Sequence, residues 1–148
     1  MTVRRVLLGL LALLVLIQLV PYGRDHADPR ATQPVDWRSA RAEKLFAGAC
    51  ADCHSDKTSW PIYSNVAPVS WLVENDVKGG RDHFNVSEWD RSQPSVDEVV
   101  STIRDGGMPP IQYKLIHSSS RLSAAEKRDL IDGLRAMYAA DPPASTRG

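Results

Sequence analysis

The pentapeptide Cys50-Ala51-Asp52-Cys53-His54 contains both cysteines of the 148-residue chain. It limits the fold more than any other feature. Two thiols three residues apart lie on one turn of helix, and the imidazole of the next residue follows directly. C-x-x-C-H is the attachment signature for c-type haem. The two thiols reach the two vinyl groups of one porphyrin as thioethers, and the histidine stands beneath the iron as its proximal ligand. Such a chain has to wrap a large, flat, apolar body.

Other uses of the pentapeptide fit less well. The cysteines are too close to close a useful disulfide loop. A thioredoxin-type redox pair calls for a βαβ neighbourhood, and the flanking sequence has none. A structural zinc site needs four ligands, and the remaining histidines, His26, His83 and His117, lie far from finger spacing. Two buried free cysteines are the plain alternative.

Length allows one ordinary domain and no second large one. With 18 Lys plus Arg against 18 Asp plus Glu, no basic excess exists to neutralise phosphates, which argues against nucleic acid as a partner. The charge is uneven, since residues 1–20 hold Arg4 and Arg5 and no acid.

Val6 to Val20 are uncharged and almost wholly apolar, with Gln18 the polar exception. As a helix these fifteen residues reach about 22 Å, short of a hydrocarbon core of ~30 Å. Tyr22 at the interface and a snorkelling Arg5 would lengthen the effective span. Pro21-Tyr22-Gly23-Arg24-Asp25 offers no A-x-A-like cleavage site. The expectation is an uncleaved anchor over residues 1–22, with a removed signal peptide as the alternative. The rest of the chain would be exported, because the positive residues stay inside. This places a single-pass protein in the inner (cytoplasmic) membrane, with its haem domain facing the periplasm. Residues 23–35, with Pro29 and Pro34 and no apolar periodicity, read as a flexible tether. Residues 36–140 read as the folded domain and 141–148 as a disordered tail.

Capping signals predict the helices. One runs from an Asp36 N-cap to Ala49, with Trp37, Ala42, Leu45, Phe46 and Ala49 on one stripe. Another, Val69–Lys78, is opened by Pro68 and stopped by Gly79-Gly80. A third, Val96–Asp105, has a Ser95/Glu98 capping box and Gly106 at its end. The last, Ala124–Ala140, starts at a Ser123/Glu126 capping box. With no alternating run long enough for a sheet, the expected class is all-α, and the Asp36–Ala49 helix should cross the Ala124–Ala140 helix. So thin a core would gain from one haem at its centre.

Candidates for the sixth iron ligand are Met108, His117, His83 and Met137. Met137 lies on the apolar stripe of the last helix and reads as core. Met108 stands between Gly106-Gly107 and Pro109-Pro110, where glycines let the backbone approach a flat ring and prolines stiffen the loop. Met108 is therefore preferred, and His54 and Met108 become the expected metal ligands. His117 would instead give a bis-histidine iron.

Lys44-Leu45-Phe46 before the motif, Gly106-Gly107-Met108-Pro109, and Leu122-Ser123-x-x-Glu126 resemble monohaem cytochrome c. The middle of the chain is more particular. Thr58-Ser59-Trp60-Pro61-Ile62-Tyr63-Ser64, Ala67-Pro68-Val69-Ser70-Trp71-Leu72-Val73, and Gly80-Arg81 with Asn85-Val86-Ser87-Glu88-Trp89 are similar to the bacterial haem-binding domain family of cytochrome c-like proteins. The resemblance spans about residues 36–140 and implies a cytochrome c-like helical domain around one covalent haem c, preceded by an N-terminal membrane helix. In that family a histidine tends to stand where His117 stands.

Within the resembling stretch, Trp60 and Trp71 are expected to wall the haem, against the plain alternative of aromatic core. Arg81 is the candidate partner of a haem propionate. The expected role is a membrane-tethered carrier of single electrons between redox proteins, and not an enzyme. The alternative is a haem-based sensor or peroxidase-like enzyme with an open or displaceable sixth ligand.

Overall fold

The computed structural model describes residues 2–147 and is mostly helical. The first helix, α1 (Val3–Ile17), buries none of its residues. Its fifteen residues end where Gln18 turns the chain onto the domain. The Gln18 side-chain amide donates to the Ala67 carbonyl at 2.9 Å and accepts from the Ala67 N–H at 3.0 Å. The Arg24 guanidinium donates to the Gln18 carbonyl at 2.8 Å. Among the described residues no helix is long and apolar enough to cross a membrane. This overturns the expected membrane helix over residues 1–22 and, with it, the single-pass placement in the inner membrane. The physical reason is length, about 22 Å of helix against a core of ~30 Å.

α2 (Ala40–Ala49) starts later than the sequence predicts. Ser39 caps it, accepting from the Ala42 N–H at 3.2 Å, while Asp36 pairs with Arg38 at the surface, 3.2 Å away. A break at Cys50 separates it from α3 (Ala51–His54), a single turn. After a 3-10 turn at Ile62–Asn65, α4 (Val69–His83) runs straight through Gly79-Gly80, which does not stop it. Gly80 has a different use: a Cβ there would strike the carbonyl oxygen of Cys53, so the glycine sets how closely α4 approaches α3.

α5 (Val96–Arg104) is capped by Ser95 and ends before Gly106, whose φ of +78° suits glycine. The short α6 (Ile111–Ile116), absent from the sequence prediction, follows Pro110. α7 (Ala124–Ala140) opens with the reciprocal Ser123/Glu126 capping box. α7 crosses α2 as expected, and at the crossing Gly133 lies directly against Ala42. The core gathers Phe46, Phe84, Trp89, Leu130, Leu134 and Met137. Around this core α5 packs on α7, and α3 packs on α4.

Both end segments lie along one stretch of chain. Val35 N–H donates to Val86 O at 2.9 Å, and Trp89 N–H to Gln33 O at 2.8 Å. His26 stacks on Trp60 with ring centroids 4.5 Å apart. At the other end, β2 (Ser145–Arg147) pairs in parallel with β1 (Ser92–Pro94), a small sheet that the sequence did not predict. The Trp89 indole N–H donates to the Asp141 carbonyl at 2.7 Å.

Candidate haem-binding site

The one-turn helix α3 presents the motif. Cys53 and His54 N–H groups both point at the Cys50 carbonyl, at 3.1 and 3.0 Å. The Ser55 hydroxyl closes the turn by donating to Ala51 O at 2.7 Å. His54 Nδ1 lies 2.9 Å from the Phe84 carbonyl and 3.2 Å from that of Gly80, both at the end of α4. Carbonyl oxygens only accept, so Nδ1 carries the proton and Nε2 keeps its lone pair. Burial pulls the His54 imidazole below its ordinary pKa, against the pull of the Phe84 and Gly80 carbonyls. The ring is therefore held neutral and oriented.

Cys50 and Cys53 are free thiols. Burial raises the Cys50 thiol to about 12, with Cys53 adding to it. Burial, then the Asp76 and Asp52 carboxylates, raises Cys53 to about 11, with Arg81 opposing. Both remain S–H at neutral pH, unlike the depressed thiols of metal-thiolate sites.

Cys50, Cys53, His54 and Met108 line one hollow of about 280 Å³, together with Pro109, Pro110 and Tyr113. A second hollow of about 110 Å³ continues past Cys50, His54 and Met108 to Phe46, Phe84 and Leu134. A third, about 100 Å³, continues past Cys53 and Tyr113 to Tyr63, Leu72 and His117. Together they form one largely apolar cleft, near the low end of the roughly 300–1,000 Å³ usual for small-molecule sites. These walls fit a haem. Two thiols and a lone-pair imidazole nitrogen converge on an apolar slot, a thioether stands on the same slot, and Gly80 lets the supporting helix come close.

Met108 is 38% exposed on the rim. Its N–H donates to Thr102 O at 3.3 Å. Of the other candidate ligands, Met137 is fully buried in the core. His83 also lines the cleft, with Nε2 3.2 Å from Glu98 Oε1. His117 has both ring nitrogens engaged. Nδ1 is 3.2 Å from the Tyr113 carbonyl and must donate to it, so Nε2 accepts from the Tyr63 hydroxyl at 3.1 Å.

Three other expected site residues are not brought to the cleft. The Arg81 guanidinium donates to Ser55 O at 2.9 Å, to the Thr58 hydroxyl and the Asp28 carboxylate at 2.8 Å each, and to Ala27 O at 3.2 Å. It ties the N-terminal segment to the loop after the motif. Trp60 packs on His26 and lines a polar hollow beside Arg81. Trp71 is half-buried on α4, and its indole nitrogen has no partner.

The structure adds Tyr113, whose hydroxyl donates to Asp52 Oδ2 at 2.6 Å. Burial, then that bond, raises the phenol well above its ordinary pKa, so it stays a donor. The Tyr113 ring lies flat on His117, centroids 3.9 Å apart. The sequence signal for it was Pro109-Pro110. A helix opened by proline brings a residue one turn on back beside Met108.

A protein-family model described as the haem-binding domain matches residues 12–136. No curated protein and no solved structure matches the chain. The match covers most of the sequence, and the chain belongs to the haem-binding domain family.

Proposed function

We propose that this member of the haem-binding domain family is a monohaem c-type cytochrome that carries single electrons between redox proteins. Cys50 and Cys53 would each add S–H across a vinyl double bond, with nothing oxidised and no group lost. His54 and Met108 would supply the two axial ligands. The proposal rests above all on His54. Its Nδ1 proton is fixed by two backbone carbonyls, which leaves Nε2 free on the wall that also carries both thiols.

Bound haem supplies reversible one-electron exchange at iron, and a methionine ligand raises the potential. Phe46, Phe84 and Leu134 keep one end of the cleft dry, which limits the reorganisation that accompanies a change of charge. Ile111, Leu115 and Ile116 stand exposed beside the cleft and give a redox partner an uncharged surface to approach. With the Met108 thioether and the His54 imidazole both placed to hold the iron, the reading is a carrier rather than an enzyme.

The test is expression of the full chain with a c-type haem maturation system. Haem that survives denaturation and organic extraction, low-spin spectra in both redox states, and the near-infrared band of methionine on ferric iron are expected. Extractable haem would overturn covalent attachment. A high-spin protein that binds carbon monoxide untreated would favour a sensor or a peroxidase-like enzyme.

A further inference from the structure

α6 is held in an unusual way. None of its residues is buried, and Ile111, Leu115 and Ile116 are 66%, 72% and 62% exposed. Apolar packing therefore does little to fix it, and polar contacts fix it instead. The Tyr113 hydroxyl reaches Asp52 Oδ2, inside the C-x-x-C-H motif itself. Asp52 is in turn immobilised, with Oδ1 accepting from Ser59 N–H at 2.9 Å and its carbonyl from the Thr58 hydroxyl at 2.7 Å. Only Pro109 and Pro110 separate Met108 from α6, and two prolines transmit position stiffly. On the other side of Met108 the ties are long: Met108 N–H to Thr102 O and Gly106 N–H to Ile103 O on α5, each 3.3 Å, and Lys114 Nζ to Gly106 O, also 3.3 Å.

We propose that the Tyr113–Asp52 hydrogen bond is a latch that holds the Met108 loop against the motif helix. Tyr113 is then a positioning residue, deciding whether the sixth side of the haem is closed by the Met108 thioether or open to a small exogenous ligand. This rests on Met108 being the sixth ligand, as proposed above. A hydrogen bond to an ionised carboxylate is about twice as strong as a neutral one, and its loss would shift a closed-to-open equilibrium by about ten- to a hundredfold. Asp52 connects the latch to the attachment turn, so the loop and the motif move as one piece while the bond is made.

The experiment uses the haem-loaded full chain and four single variants: Tyr113→Phe, Asp52→Ala, Asp52→Asn and Met108→Ala. It reads the rate at which carbon monoxide binds the reduced protein and the near-infrared methionine band of the oxidised protein. Tyr113→Phe and Asp52→Ala are expected to speed carbon monoxide binding by at least about tenfold and to weaken the band. Asp52→Asn keeps an acceptor oxygen but only a neutral one, so it should fall between wild type and Asp52→Ala. The Tyr113→Phe/Asp52→Ala double variant should be no faster than either single one, because both remove the same bond. If Met108→Ala opens the site while Tyr113→Phe and Asp52→Ala behave as wild type, the latch is wrong and the Met108 assignment stands. If Met108→Ala leaves rate and band unchanged, Met108 is not the ligand and the latch falls with it. Should Asp52→Ala lose its haem, the contrast between Tyr113→Phe and Asp52→Asn decides alone.

Discussion

Gly80 lies so close to Cys53 that the Cys53 peptide carbonyl occupies the space a β-carbon on Gly80 would need. A backbone oxygen cannot rotate away as a side chain can. Gly80→Ala would gain about 1 kcal/mol of helix propensity and lose more by prising α4 from α3, at about 1–3 kcal/mol for overpacking. The expected result is a lower yield of haem-loaded protein and a lower melting temperature. Haem content per chain and thermal unfolding check it. Gly48→Ala on α2, where a Cβ meets only Ser119 at an ordinary 3.5 Å, lies outside the cleft, should be neutral or stabilising and serves as the control.

Met108→Ala should retain covalent haem, because neither thiol nor His54 is touched, and should lower the reduction potential by removing the thioether. Potentiometry of the variant against wild type measures this. An unchanged potential would exclude Met108 from the iron.

Where α2 crosses α7, Gly133 faces the Ala42 β-carbon with no room for a second one. Gly133→Ala is expected to destabilise the fold by about 1–3 kcal/mol while leaving haem spectra unaltered, since neither residue lines the cleft. Adding Ala42→Gly should return much of the loss. Chemical denaturation of the two single variants and the double variant gives the comparison.

The capping box carries a pH dependence. Bonds from the Ser123 backbone N–H and hydroxyl lower the Glu126 carboxyl below its ordinary pKa of 4.5. A depressed carboxyl contributes stability that is present above the unfolded-state value and lost as pH falls through the folded-state value. Wild type should therefore lose an increment of stability below about pH 4.5 that Glu126→Gln, which does not titrate, never has. Melting temperatures at pH 7 and pH 3.5 should lie closer together in the variant. Ser123→Ala should cost about 0.5–2 kcal/mol at pH 7.

How much of this was written in the sequence depended on how local the cause is. Capping residues announced α5 and α7, because Ser95 and Ser123 act on backbone three residues away. The C-x-x-C-H turn was legible for the same reason, since its hydrogen bonds run between residues at most four apart. Gly79-Gly80 misled. The pair looks like a helix stop, and Gly80 is instead demanded by Cys53, 27 positions earlier. Asp36 looked like a cap until Arg38 took its charge and Ser39 took its place. The bonds from Arg81 to Ala27 and Asp28 were not legible, because those partners lie in a stretch with no apolar pattern. The Tyr113–Asp52 contact joins residues 61 positions apart, and no periodicity encodes such a pair. The apolar run at the N-terminus set the expectation of a span, and its fifteen helical residues are too few for one.

The hydrogen bonds that lay the early chain along the domain reach further than tidiness. Val35 N–H binds Val86 O, and Val86 N–H binds the carbonyl of His54 at 3.0 Å. His54 is thus two backbone bonds from a residue ahead of α2. A fragment begun at Asp36 would keep every thiol, imidazole and thioether of the candidate site, yet it would strip the Val86 carbonyl of its Val35 partner and the Arg81 guanidinium of Ala27 and Asp28, two of its four partners. The smallest piece of this chain that keeps the candidate site braced is therefore defined by its bracing and not by its ligands, and it begins ahead of Ala27.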